Sequence, residues 1–226
     1  DSHQPVRFEL IDTRPEWLDL VANPDTDLTG VINQLRTGGL IAYPTETVYG
    51  LGGGISDLAV SRVRELKGGR ADKPLIALVE SPDTVDQLNW TKAARKLADV
   101  FWPGAVTLVL EDPLGIFPKG IRDEATGTVG VRVSPHPLIS RLLKGLGGVL
   151  TSTSLNAPGQ PPVSSGSQAS NVLRQLGAKD VTVLDAGTLR PSPPSTVVDC
   201  TGPQPVVLRE GTISIKRLRY IIPEIS

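Results

Sequence analysis

The chain holds 226 residues, 39% of them hydrophobic, enough to bury one substantial core or two small ones. Its 23 Lys and Arg against 24 Asp and Glu leave a formal charge of −1, so charge alone implies no general attraction to nucleic acid or membrane, and RNA binding would need a local patch. The single Cys200 excludes an intrachain disulfide framework and a cysteine-based zinc site, and no apolar run approaches the ~20 residues that span a bilayer. The segment Asp1 to Arg14 is polar rather than signal-like, so a cytoplasmic protein without a membrane partner is the expectation.

In chain order, Thr26 or Asp27 caps an expected helix with Leu28, Val31, Ile32 and Leu35 on one face, closed by Gly38-Gly39, and the strand Leu40 to Tyr43 follows directly. Ser56 caps a second helix that turns Val60, Val63 and Leu66 inward, and Leu75 to Val79 reads as the next strand, with Lys67 to Lys73 as a solvent-facing loop between them. Ser81-Pro82 has the pattern of an N-cap followed by a first-turn proline, and Ala94, Leu97, Ala98 and Phe101 mark a further helix. After Pro103-Gly104 strands dominate, at Val106 to Leu110, Thr128 to Val133, Val149 to Thr151, Val181 to Leu184, Thr196 to Val198 and Val206 to Leu208, with helices near Pro137 to Leu146 and Ser167 to Leu176. The Pro-, Gly- and Ser-rich segments Asn156 to Ser167 and Arg190 to Ser195 are loops too short to link domains. These elements predict an α/β single domain, a twisted mixed parallel and antiparallel sheet with flanking helices around a concave cleft, spanning 26–226 behind an N-terminal extension of 1–25.

Several stretches carry chemistry-bearing side chains. The run Ala42-Tyr43-Pro44-Thr45-Glu46-Thr47-Val48-Tyr49-Gly50 delivers hydroxyls, a carboxylate and glycines to a strand end, where open α/β sheets bind ligands. In extended backbone Thr45, Thr47 and Tyr49 would share one face, either lining a cleft or simply forming a strand edge, and the glycines after Tyr49 either admit a ligand or turn the chain. Arg62, Arg64, Lys67, Arg70 and Lys73 place five cations within twelve residues, suited to a polyphosphate or to a solvated helix end. Arg132 lies in an apolar strand and needs a partner or open water, Thr151 to Asn156 ends a buried strand in a hydroxyl cluster, and Ser195 and Arg209 stand at the ends of apolar strands. Phe101-Trp102-Pro103-Gly104 reads as structural, and His136 as a cap or packing residue. The chain has no G-x-x-x-x-G-K-[ST], H-E-x-x-H, C-x-x-C or G-x-S-x-G, which disfavours a P-loop nucleotide fold, a zinc enzyme and a serine hydrolase.

Taken together, the run at 40–52, Lys67-Gly68-Gly69-Arg70-Ala71-Asp72-Lys73-Pro74-Leu75, Phe101 to Leu108, Thr153-Ser154-Leu155-Asn156, and Ser195 to Asp199 followed by Val207 to Gly211 resemble the YrdC-like family in order and spacing, from about Leu28 to Ser214. The resemblance implies synthesis of L-threonylcarbamoyl-adenylate from L-threonine, bicarbonate and ATP with Mg2+, releasing diphosphate, for tRNA modification. It implies that Thr45, Arg132 and Ser195 hold threonine, that Lys67, Lys73, Thr128, Ser154, Asn156, Ser164 and Arg209 meet the nucleotide, and that Lys67, Arg70 and Lys73 serve catalysis. It implies no resident metal, and as partners tRNA or RNA and proteins of the tRNA-modification pathway. Counting back from Lys73-Pro74-Leu75 puts Gly69 where the family has arginine, with Arg70 one residue later. Either the loop presents Arg70, or the chain is a paralogue that binds nucleotide or RNA without making the adenylate. A carbamoyl transferase acting on another acceptor is a third, less favoured reading.

Overall fold

The structure is a computed structural model that describes residues 16–69 and 73–226. Strand β1 (Trp17–Asp19) precedes helix α1 (Thr29–Arg36), which buries Val31 and Leu35, one turn apart. Neither expected side chain caps α1: Leu28 holds the N-cap position, while the Asp27 carboxylate accepts from the backbone N–H and the hydroxyl of Thr29. Past Gly38, whose φ of 88° suits a residue without Cβ, the chain enters β2 (Leu40–Pro44), buried along its whole length. Leu40 and Ala42 pack into one core cluster while Ile41 and Tyr43 pack into the other, so both faces of β2 are covered and its sequence runs apolar without alternation.

Strand β3 (Tyr49–Gly53) returns antiparallel to β2, so the glycines after Tyr49, expected either to admit a ligand or to turn the chain, form a strand. Close packing explains its composition. A Cβ on Gly52 would lie 1.7 Å from the Thr151 carbonyl oxygen, and only glycine lets the two backbones approach that closely. Helix α2 (Asp57–Leu66) follows, capped by the Ser56 hydroxyl accepting from the Ala59 N–H and burying Val60 and Val63 as expected. After β4 (Ile76–Leu78), Ser81-Pro82 opens only a 3-10 turn at Pro82–Val85, and α3 (Lys92–Phe101) begins behind the Thr91 cap. Strands β5 (Val106–Glu111), β6 (Arg122–Asp123) and β7 (Thr128–Arg132) lead to α4 (Pro137–Leu146), for which His136 supplies the N-cap through its ring Nδ1. Then come β8 (Leu150–Ser154), α5 (Gly166–Gln175), β9 (Val181–Asp185), β10 (Thr196–Asp199), β11 (Val206–Arg209) and α6 (Ile215–Ile221).

The strands form a mixed α/β sheet in the order β1-β9-β2-β3-β8-β4-β7-β5-β10-β11, with β6 hydrogen-bonded to β7 outside that path. Parallel pairs (β1 with β9, β2 with β9, β4 with β7, β5 with β10) are mixed with antiparallel ones, as the sequence predicted. Strand β8 is the hinge between two sections: Gly50 pairs with Ser154 and Leu51 with Thr153 on one side, Ile76 with Ser152 and Leu78 with Leu150 on the other. Helices α2, α3 and α5 cover one face and α1 and α4 the other. Among the described residues no helix is long and apolar enough to cross a membrane.

Candidate active site

The turn between β2 and β3 is fixed by one side chain. The Thr45 hydroxyl accepts from the N–H groups of Thr47 and Val48, both at 3.1 Å, and donates to the Val48 carbonyl at 2.7 Å. Because that proton is committed, the Thr47 hydroxyl, 3.0 Å away, is the donor of the pair they form. A tight turn here contradicts the expectation of extended backbone. Thr45 and Thr47 both line a cavity, but Tyr49 does not share their face: its ring is in the core and its OH donates to the Gly187 carbonyl at 2.7 Å.

That cavity, about 460 Å3, opens where the turn, the C-terminal end of α2, the start of β4 and the ends of β7, β8 and β11 converge. Among the described residues its walls carry Arg64, Lys67, Lys73, Arg132 and Arg209 and no carboxylate. Lys67 is clamped: its Nζ donates to Asn156 Oδ1 at 2.6 Å and to the Ser154 carbonyl at 3.0 Å. Half-burial pushes its pKa below that of an ordinary lysine. Opposite, Ser195 is buried with its Oγ 2.9 Å from the Thr107 hydroxyl, and its carbonyl accepts from Arg209 Nη2 at 2.8 Å. Burial, and then the like charge of Arg132, lowers the Arg209 pKa.

Arg132 ends β7 with only 4% of its surface exposed. Glu46, the second residue of the turn, sets its carboxylate Oε1 3.1 Å from Arg132 Nη1 and accepts from the Ser134 hydroxyl through Oε2 at 2.6 Å. The 3.1 Å contact is an ion pair without hydrogen-bond alignment, since Glu46 Oε1 and Arg132 Nε are both buried with no hydrogen-bond partner. Sequence reading placed Arg132 but assigned Glu46 no role; the signal was the need of a buried arginine for a counter-charge.

Of the residues expected at the site, Thr45, Lys67, Lys73, Arg132, Ser154, Ser195 and Arg209 line the one cavity, and Asn156 joins it through Lys67. Two lie apart from that lining. Thr128 is at the far end of β7, its hydroxyl 2.7 Å from that of Thr126, and Ser164 gives its N–H to Gln168 Oε1 at 2.9 Å. Arg70 is outside the described residues. The five-cation run also divides: Arg64 faces the cavity, whereas Arg62 pairs with Asp180 and donates to the Gly38 carbonyl at 3.1 Å, a structural role. Trp102 stacks edge-on against Trp90, 5.9 Å between centroids, consistent with a packing function for that motif.

A sequence model of the Sua5/YciO/YrdC family, described as "Telomere recombination", matches residues 33–211. The chain belongs to the Sua5/YciO/YrdC family. A threonylcarbamoyl-AMP synthase of Vibrio campbellii is 32% identical over 188 residues, covering 80% of this chain and 97% of its own. The solved structure of Pyrococcus abyssi Sua5 complexed with L-threonine superposes with a TM-score of 0.79 at 33% identity, over 88% of this chain and 58% of that longer one. Escherichia coli YciO, at 26% identity and a TM-score of 0.76, matches 90% of this chain and 98% of its own length. Membership in the Sua5/YciO/YrdC family, the α/β fold and the mixed sheet were all anticipated from the sequence motifs.

Proposed function

We propose that this chain makes L-threonylcarbamoyl-adenylate from L-threonine, bicarbonate and ATP, releasing diphosphate, and so supplies the activated group for threonylcarbamoyladenosine in tRNA. The observation that carries this reading is that one cavity is lined by two kinds of group. A buried arginine and the hydroxyls of Thr45, Thr47 and Ser195 are matched to a small hydroxylated amino acid, and Lys67, Lys73 and Arg64 are matched to a polyphosphate.

The Arg132 guanidinium takes the threonine carboxylate, and Thr45, Thr47 and Ser195 surround its hydroxyl and amine. Bicarbonate takes up a proton and loses water to give CO2; the neutral amine attacks its carbon, a C–N bond forms as one C=O π pair moves to oxygen, and a proton then leaves the nitrogen to solvent, giving a carbamate. A carbamate oxygen then attacks the α-phosphorus of ATP, the bond to the bridging oxygen breaks, and diphosphate departs with its electron pair. Lys67, Lys73 and Arg209 offset the charge that collects on the phosphates, so rate comes from positioning and charge stabilisation rather than from a protein-held base. Arg70 takes part in the same work, and Thr128 and Ser164 belong to the nucleotide's outer contacts.

Magnesium favours carboxylate and phosphate oxygens. With no carboxylate among the described lining residues, the cavity does not fit a protein-held magnesium ion. Mg2+ would therefore enter on the nucleotide. The domain spans 26–226, the protein works in the cytoplasm, and tRNA and the proteins that transfer the carbamoyl group are its downstream partners. Diphosphate release from ATP should require both L-threonine and bicarbonate, with serine a poor substitute. ATP or RNA binding without such release would establish the paralogue reading, for which the glycine at position 69 is the supporting observation.

A further inference from the structure

Accepting the threonine-site reading of the cavity, the geometry points to Glu46 as a positioning residue that, acting through Arg132 and braced by Ser134, sets the affinity for the amino-acid carboxylate. Arg132 lines the cavity and Glu46 does not, so the carboxylate grips the guanidinium from behind. The grip has a defined anatomy. Arg132 and Ser134 are two residues apart on extended chain and point to the same side, where both reach Glu46, at 3.1 Å and 2.6 Å respectively. Glu46 in turn sits in the turn locked by the Thr45 hydroxyl, so the residue proposed to touch the substrate and the residue holding its carboxylate partner are neighbours on one rigid support.

Two atoms make this more than charge balance. Glu46 Oε1 and Arg132 Nε are buried side-chain atoms without a hydrogen-bond partner, in the same ion pair, 96% of one member's surface being buried. A guanidinium and a carboxylate satisfy each other best in a two-point, coplanar fork. Here the contact is one-point, Oε1 to Nη1, while Oε2 is committed to the Ser134 hydroxyl and Arg132 Nε keeps its donor without a partner. The guanidinium therefore retains donors for a second carboxylate, that of the substrate. The head group then has one orientation set by Glu46 on one side and by substrate on the other.

The test is Glu46→Asp, which keeps the charge but withdraws it by one methylene from both Arg132 and Ser134. Michaelis constants for threonine and ATP are measured separately by diphosphate release, with threonine binding followed by calorimetry. The expected result is a KM for threonine raised at least tenfold, a matching loss of affinity in calorimetry, and a KM for ATP within twofold of wild type. Ser134→Ala should move the threonine KM in the same direction by a smaller factor, several-fold. A Glu46→Asp threonine KM within twofold of wild type, or equal rises in both KM values, would overturn the assignment, the first showing that charge balance alone is needed and the second a general collapse of the cavity. Because wild type is measured alongside, a wild-type protein that neither binds nor turns over threonine fails the functional reading itself and takes this inference with it, a result distinct from a variant that behaves like an active wild type.

Discussion

Replacing Lys67 with methionine probes the phosphate end of the cavity with little change of shape. The ammonium has three donors, and two are engaged by Asn156 Oδ1 and the Ser154 carbonyl, which leaves the third for a ligand. A charge-assisted hydrogen bond from that donor to a phosphate oxygen is worth about 1.5–3 kcal/mol. The Coulomb attraction of two unit charges ~4 Å apart at an effective dielectric of ~20 is about 4 kcal/mol, which sets a ceiling. At 1.36 kcal/mol per factor of ten, kcat/KM for ATP should fall roughly 10- to 1,000-fold. Stability should change by no more than about 1 kcal/mol, because removing a half-buried charge relieves its desolvation as it sacrifices two hydrogen bonds. Threonine-dependent diphosphate release across an ATP titration, with Tm measured in parallel, reads both quantities. An ATP kcat/KM within threefold of wild type, or a loss that falls on threonine instead of ATP, would refute the placement of Lys67 at the phosphates.

Further consequences concern pH, packing and the lone thiol. Since burial lowers the Lys67 pKa, the cation costs folding stability at neutral pH, and that cost disappears as pH rises through the lowered value toward the ordinary ~10.4. ATP affinity needs the protonated form, so the alkaline fall in kcat/KM for ATP should begin below ~10.4 and move upward in Lys67→Arg; a limb unmoved by that substitution assigns it to another group. Gly52→Ala forces a Cβ to 1.7 Å from the Thr151 carbonyl and should cost about 3 kcal/mol or more, lowering Tm by roughly 6–12 °C, whereas an unshifted calorimetric transition would show that β3 and β8 can part freely. Burial pushes the Cys200 thiol up to about 12, so iodoacetamide at pH 8 should label it only after unfolding; rapid labelling of native protein would contradict its place in the core.

Most helices and strands were legible because their signals are local. Ser56 is a cap that bonds to the N–H three residues on, and α3 carries its buried Ala94, Leu97, Ala98 and Phe101 at helical spacing. Helix α6 escaped although its Ser214 cap is a local signal; the rest of what escaped depends on partners distant in sequence. Gly50 to Gly53 looks like a loop until Thr151 is laid against it, and the short strands β1 and β6 exist only through pairing with β9 and β7. The site divides the same way. Cations near a strand end and an arginine in an apolar strand are visible in one dimension, so Lys67, Lys73, Arg132 and Arg209 could be chosen. That Arg62 is drawn off by Asp180 and that Glu46 stands behind Arg132 follow only from contacts spanning 118 and 86 positions of chain, whereas the turn on which Thr45 spends its hydroxyl is local and spans only 3.

The most direct test of the proposed activity supplies 13C-bicarbonate, L-threonine and MgATP to the protein and analyses the products by mass spectrometry within seconds of mixing. One species containing threonine, the labelled carbon and AMP, formed in step with diphosphate and missing when any substrate is omitted, is the predicted result. AMP and diphosphate appearing without that adduct, or no turnover of ATP at all, would contradict it.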